Sequence, residues 1–456
     1  MDLADSVQNS LRNWGSHPVF VEIAPGRPDR VVHSRDLMKM ISDAAAVFSK
    51  MGIGENAPVP LFLENSIEFP VAFLALLSLK AIPVMVKLEY RSIELGEIFA
   101  NLDPDVLISE KAHLDVLAPW LEGKNVVVRE AGKWRLAQAG GPIRSIEVPD
   151  DVATINYTYR GYGYPLGSMA PHSQYFHGAQ IVQIGLESRP GDKMLCILPF
   201  SHIFTLVGCL ILPLIYKLTG IISLTMNPRI LFEIIENRSV NYVLSIPEIF
   251  ALLYRIGTPG KDYPSLAAIL TGGSLMTKDQ ALAYTDAFGV DVLHGYGLTE
   301  FTPVTGNQRS NLRAGTVGPL GIDLEYADRN GEITVKSPDL TRGYYRRDRE
   351  TKEAFENGFF RTGDKGRMED GHMVFESEMK RTRKVNGNMV DLTEVETVIA
   401  SFPGMDRYSL THADGILSAV VTFSDKNENK LDELRRYLKK RIAIYKIPRL
   451  TVAADM

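Results

Sequence analysis

His294-Gly295-Tyr296-Gly297-Leu298-Thr299-Glu300 gathers several kinds of chemistry into one short stretch. Tyr296 offers an aromatic face for a base, Gly297 a flexible backbone, Thr299 a hydroxyl for a phosphate and Glu300 a carboxylate for a metal. Downstream, Phe360-Arg361-Thr362-Gly363-Asp364 ends on a carboxylate that can accept both hydroxyls of a ribose. Base, ribose, phosphate and metal are the parts of a metal-bound nucleotide. Either motif alone is weak; the two in this order point to nucleotide chemistry.

The elements that must position these residues alternate between helical and extended patterns. Leu37, Met40, Ile41, Ala44, Ala45 and Phe48 fall at helical spacing, with Ser34 as N-cap and Gly52 as stop. Val59 to Leu63 and Pro83 to Val86 read as short buried strands on either side of a helix through Phe73 and Leu77. Strand, helix and strand at this spacing imply parallel pairing with crossover helices. The pattern returns at Lys193 to Leu198, Tyr242 to Ser245, Ala268 to Leu270 and Val290 to Leu293, which predicts two doubly wound α/β subdomains. After Gly318-Pro319 the strands become short and alternating, at Glu332 to Val335 and His372 to Phe375, as in a small β-rich subdomain. From Lys380 the chain turns strongly charged, with helices at Glu394 to Ser401 and Asn429 to Ile442. The expected division is a large N-terminal region, 1–379, and a small α+β C-terminal domain, 380–456.

Composition narrows the partners. A chain of 456 residues has room for two or three domains. A net charge of -5 gives no electrostatic reason to expect nucleic acid or an anionic membrane. Cys196 and Cys209 lie in apolar surroundings without metal-ligand spacing, as buried free thiols of a reducing compartment do. The start Met1-Asp2-Leu3-Ala4-Asp5 lacks the pattern of a signal peptide. The apolar run Ile203 to Tyr216 is interrupted by Pro213 and is short of the ~20 residues of a membrane span. A cytoplasmic protein is expected.

Over nearly its whole length the chain resembles the adenylate-forming superfamily of acyl-CoA synthetases, peptide-synthetase adenylation domains and luciferases. The resemblance implies that a carboxylic acid is activated by Mg²⁺ATP as its acyl-adenylate, then passed to the thiol of CoA or of a phosphopantetheine arm on an acyl carrier protein. It implies that Gly272, Gly273 and Ser274 lie against adenine, where a missing Cβ permits close approach. Tyr296 would stack on the base, flanked by His294, Gly295 and Gly297. Thr299 would bond the α-phosphate, Glu300 would hold Mg²⁺ and Asp364 the ribose. Leu198-Pro199-Phe200-Ser201-His202 looks like the segment that lines the entrance for the acid, with His202 in the pocket. A phosphate loop is matched at Tyr157 to Gly167, with Thr158, Gly161, Gly163 and Gly167 as its binding positions. Arg381 stands at the hinge beside the nucleotide.

Departures from the family pattern are as informative. The phosphate loop usually runs Tyr-Thr-Ser-Gly, two Ser/Thr, Gly-x-Pro-Lys-Gly. Here Leu166 replaces the lysine, Arg160 the first glycine, and Tyr159, Gly161 and Tyr162 the small hydroxyl residues. Arg160 is expected to supply the missing charge. At the hinge, Glu378 stands where an arginine usually touches ribose, and Asn386-Gly387-Asn388-Met389 replaces Gly-Gly-Glu-Asn. The chain stops at Ala453-Ala454-Asp455-Met456, before the lysine that bridges carboxylate and phosphate in family members; the abrupt end reads as a truncation. The basic run Lys380 to Lys384 stays open between a solvated face, a nucleotide contact and a docking patch. No acid near Ile203 to Val207 or Phe301 to Val304 suits an α-ammonium, so an aryl or aliphatic acid is expected. A degenerate relative acting as sensor or scaffold, and a ligase with an amine acceptor, are the alternatives.

Overall fold

Strands buried on both faces read as unbroken apolar runs, and two parallel sheets are built from such runs. The computed structural model describes residues 2–130, 132–257, 263–413, 415–424 and 429–453. Ala454, Asp455 and Met456 at the chain end lie outside them. One sheet runs, in spatial order, Lys133–Gln138, Asn125–Glu130, Val106–Glu110, Pro58–Phe62, Ile82–Met85, Val152–Thr158, Leu166–Pro171. The other runs Phe301–Gly306, Asp291–Leu298, Ala268–Thr271, Tyr242–Ser245, Lys193–Cys196, Thr219–Ser223, Phe20–Ile23, Arg30–Val32. Both are parallel inside and antiparallel at each edge. The helix Glu68–Ser78 is buried on every side from Phe69 to Leu77, and Phe69 stacks on Phe200 at 5.5 Å.

The inside-parallel, outside-antiparallel pattern decides where the chemistry sits. Val152–Thr158 leaves its sheet at the carboxyl end, turns through residues 159–165 and returns as Leu166–Pro171. Asp291–Leu298 turns through Thr299 and Glu300 and returns as Phe301–Gly306. Open α/β sheets bind ligands at such carboxyl ends. Beside these hairpins stands a five-stranded sheet, whose long strand Phe359–Glu369 pairs with His372–Glu378 and sets Asp364 opposite Glu378.

The elements that follow are a hairpin (Thr382–Val385, Asn388–Asp391), helices Leu392–Ala400 and Lys430–Arg441, and a three-stranded sheet of Met405–Ala413, Ile416–Phe423 and Arg449–Val452. They enclose a core of their own, with Val395, Ile399, Val421, Leu434 and Leu438 buried. Asp391 caps the first helix, accepting from the N–H groups of Thr393 and Glu394.

Some local expectations shift. Ser34 is the first helical residue of Ser34–Lys50 and not its cap; His33, extended at φ -92°, stands before it without a side-chain cap bond. The run from Ile203 folds as short helical turns buried in the core, and among the described residues no helix is long and apolar enough to cross a membrane. Cys196 and Cys209 are buried and free, the Cys196 thiol facing the Cys209 carbonyl at 3.5 Å.

The C-terminal elements are joined to the rest by a buried cation. The Lys446 ammonium, fully buried, lies 2.5 Å from Glu394 Oε2 and 3.0 Å from Glu94 Oε1, and donates to the Tyr159 hydroxyl at 3.0 Å. Glu94 also accepts from the N–H groups of Arg91 and Ala443. Burial raises Glu394 against the pull of Lys446, and the two carboxylates share this one ammonium. Lys446→Met leaves both acids without their cation. We expect it to cost about 3–5 kcal/mol in urea denaturation; an unchanged midpoint would show that the clamp carries no stability.

Candidate active site

The two edge hairpins meet over a narrow cleft with a cavity volume of about 100 Å³. Thr158, Thr299, Glu300 and Lys380 form its polar end, and Ile181, Val182, Phe204, Leu293 and Pro303 its apolar wall. Gly272, Gly273, His294, Gly295, Tyr296 and Gly297 line it as well. Gly272 is a contact glycine: a Cβ there would come within 3.1 Å of the Gly295 carbonyl. At the floor, a Cβ on Gly185 would meet the Asn307 carbonyl at 2.8 Å, and one on Gly306 would meet Ile181 at 3.3 Å. The Asn307 amide is spent on the carbonyls of His294 and Thr316, so the floor is closed and offers substrate no free donor there.

Glu300 is buried and already partnered. Its Oε1 accepts from the Tyr344 hydroxyl at 2.5 Å and faces Arg160 Nη1 at 3.4 Å. Arg160 donates through Nη2 to the Arg361 carbonyl at 2.7 Å and lies over the Phe360 ring at 4.8 Å. The ribose acceptor is likewise engaged. Tyr296 donates its hydroxyl to Asp364 Oδ2 at 2.7 Å, and its ring packs at 5.5 Å from Phe375. Ser274 sits in an adjoining cleft with Glu248, and its buried hydroxyl has no hydrogen-bond partner among the described residues. The carbonyl of Ser274 faces His294 Nε2 at 3.0 Å, which places the ring proton on that nitrogen.

The phosphate loop is brought to the cleft but packs against the C-terminal elements. Gly163 donates its N–H to Asp391 Oδ2 at 2.9 Å, and Tyr159 donates to Glu394 at 2.7 Å. Tyr162 and Tyr164 bond Glu353 and Glu350. A Cβ on Gly161 would touch the Arg381 backbone. Gly167 is strand backbone packed on Ile155 and Tyr157, away from the cleft, and Leu166 is buried in the apolar core beneath. The side chain of Arg381 does not reach the nucleotide end: it is exposed and paired with Glu396 at 2.5 Å. Its neighbour Lys380 does, because one residue along an irregular turn reverses the direction of the side chain.

His202 stands at the junction of the main cleft with a second one lined by Lys87, Leu198, Ile249 and Leu252. Its Nδ1 accepts from the Phe204 N–H at 3.3 Å. Burial, then the nearby Lys87 and Lys384, lower it to about 3, so it is neutral at physiological pH. Sequence reasoning missed Tyr344 and left Lys380 and Lys384 open as one of three readings of the basic run. The two lysines were hidden in a run that also suits a solvated face. Tyr344 reaches Glu300 through an isolated bridge of its backbone to Ser168, which no local pattern announces.

A family model for the AMP-binding enzymes matches residues 7–345. The chain belongs to the AMP-binding enzyme family. Similar proteins of this kind include the long-chain-fatty-acid–CoA ligase FadD13 of Mycobacterium tuberculosis, 25% identical with 95% of this chain and 91% of the relative covered. Feruloyl-CoA synthase of Amycolatopsis is 27% identical, with 79% and 77% covered. The amide bond synthetase McbA of Marinactinospora thermotolerans shares the fold at a TM-score of 0.84 and 20% identity, over 99% of this chain and 96% of that one. The class of activity that goes with the family is adenylating carboxylate ligation, with ATP and CoA as substrates.

The cleft fits a family adenylate better than it fits the family's metal. A base has Tyr296 and the Gly272 backbone, and a phosphate has Thr158, Thr299 and Lys380; Asp364, buried and bonded by Tyr296, does not line the cleft. For Mg²⁺ the sequence expectation rests on Glu300, and Arg160 has already cancelled its charge. A divalent ion on that carboxylate would be repelled by the guanidinium already paired with it. Among the described residues no group of three or more His, Cys, Asp or Glu side chains could hold a metal ion. Mg²⁺ with a nucleotide usually takes one or two carboxylates plus phosphate oxygens, so what makes this donor set a poor fit is that Glu300 is already held by Arg160 and Tyr344.

Burial also lowers His294, to about 4, with the Ser274 carbonyl opposing the shift. Both histidines are therefore neutral in the folded chain at pH 5, whereas unfolded histidine protonates near 6.5. Stability falls as pH drops below that unfolded value, by about 2 kcal/mol per histidine between pH 7 and 5. His202→Gln should remove its share, about 2 kcal/mol, from that loss in urea titrations at the two pH values. An unaltered difference would mean that His202 is not held neutral.

Proposed function

We propose that this protein activates a compact apolar carboxylic acid, aryl or short aliphatic, as its adenylate and transfers the acyl group to a thiol. The single observation that carries this reading is one cleft with two ends. Thr158, Thr299 and Lys380 form an anion-binding end, and Ile181, Val182, Phe204 and Pro303 an apolar one closed beneath by Asn307. Apart from Glu300 the walls of this cleft hold no carboxylate, so an α-ammonium has no partner. A closed apolar pocket selects by volume and discriminates only modestly between acids that differ by a methylene.

In the first step a carboxylate oxygen attacks the α-phosphorus of ATP and pyrophosphate leaves. In the second the sulfur of CoA or phosphopantetheine attacks the acyl carbon, losing its proton, and AMP leaves. Two anions must meet in the first step, so cations and fixed donors lower the barrier by holding them in line. Neutral His202 shapes the passage between the two clefts and carries no charge to oppose the incoming acyl group. With Asp391 on the Gly163 N–H and Glu394 on Tyr159, this arrangement suits an adenylate and its acceptor. Entry of a triphosphate calls for the elements from Lys380 onward to move off the loop, as two units divided at 379/380 would. The buried free thiols favour a reducing compartment such as the cytoplasm.

The second reading, a sensor that binds adenylates without making them, draws on the same occupied loop. Stoichiometric protein, ATP and a pool of aryl and aliphatic acids should yield a mass equal to acid plus AMP, and a thioester once CoA is added. Adenylate with amide formed on an added amine and no thioester would move the acceptor to an amine. Bound AMP with no adenylate from any acid would leave the sensor.

A further inference from the structure

Two cations stand at the cleft where the family's chemistry would expect a metal, and they divide its work. Arg160 lies behind Glu300 and does not form part of the cleft wall; its guanidinium is fixed by Glu300, by the Arg361 carbonyl and by the Phe360 ring. Lys380 is a wall residue. Its aliphatic stem lies flat on Gly363, where a Cβ would fall 1.9 Å from Lys380 Cε, so only glycine leaves room for it. The neighbours whose charge it feels are Arg160, Asp364, Glu300 and Glu378, and no carboxylate stands at ion-pair distance from its ammonium among the described residues. Burial, then Arg160, draws Lys380 down to about 8, which leaves it protonated at neutral pH. A cation on the wall of a cleft, held by packing and left without an ion-pair partner, is built for an anion that comes from outside.

We propose that Arg160 and Lys380 together replace the divalent ion: Arg160 cancels the charge of Glu300, and Lys380 meets the phosphate of the adenylate. The phosphate that this site takes is a phosphate monoester or an acyl phosphate ester of adenosine, bound without magnesium. The assignment rests on the reading of the cleft as an adenylate site and adds to it the identity of the cation. It also gives the arginine at a loop position where glycine is usual a task other than the one expected of it: the guanidinium neutralises Glu300, and the phosphate contact falls to Lys380.

The test is calorimetric titration of the full chain with AMP and with adenosine, each in EDTA and in magnesium. For the unaltered chain, magnesium should change the AMP affinity by less than about twofold. Lys380→Met should weaken AMP by about tenfold or more and leave adenosine as it was, and Lys380→Arg should restore most of the loss. Arg160→Met frees Glu300 to hold a metal, and AMP should then bind about tenfold more tightly with magnesium than without it. A strong magnesium dependence in the unaltered chain, or equal AMP affinity in Lys380→Met, would overturn the proposal while adenosine binding kept the adenylate site intact. Failure of both AMP and adenosine to bind the unaltered chain would remove the adenylate reading itself, and this proposal with it.

Discussion

Lys446 holds its charge in a place that water does not reach, and three parts of the chain depend on that. Glu94 belongs to a helix of the first sheet, Tyr159 to the phosphate loop and Glu394 to the first helix of the C-terminal elements. A buried ammonium must be paired, and the geometry that pairs it draws these three segments together. Once they are together, Asp391 falls on the Gly163 N–H, and the hairpin beyond Lys380 falls across the cleft. The shape of the site thus follows from an ionic joint that lies outside it.

That joint changes what the phosphate loop can do. A loop of small hydroxyl residues presents donors to phosphate; this one presents Tyr159, Tyr162 and Tyr164, whose hydroxyls all go to protein carboxylates. The loop has become part of an interface. Phosphate affinity then has to come from its neighbours: the Thr158 and Thr299 side chains and the Lys380 ammonium, all in the cleft wall. Leu166 follows the same logic. Facing the core between the edge strand and the β-rich sheet, it contributes apolar burial where a lysine would have to find its way out.

How far the sequence could be read depended on whether a role is local. The parallel strands were legible because burial on both faces leaves an apolar run, and Tyr296, Thr299 and Glu300 because one hairpin turn carries all three. Asp364 was read from its motif as a ribose acceptor, and its bond to Tyr296 was not legible, since 68 positions separate them. Gly167 followed the family pattern into a list of phosphate contacts and proved to be strand backbone, because a glycine can serve a close approach on either side of a turn. Arg381 and Lys380 show the limit most plainly. Adjacent and both basic, they differ by one side-chain direction, and that direction is set by the turn between Glu378 and Thr382, a stretch with no periodicity to read.

The charge balance of the cleft explains why this chain could depart from its family at several positions together. Glu300, Asp364 and Glu378 are three carboxylates whose charge reaches Lys380, and Glu378 stands where the resemblance to the family leads one to expect an arginine. Burial raises Glu378, with Lys384 pulling the other way, so the acid is costly where it lies. An arginine lost at 378 and a lysine lost at 166 would leave the space too negative for a phosphate. Arg160 on one side and Lys380 with Lys384 on the other bring it back towards neutrality before any ligand enters. The divergent loop and the divergent hinge are therefore one substitution of charge, distributed over two segments that only the fold brings into contact.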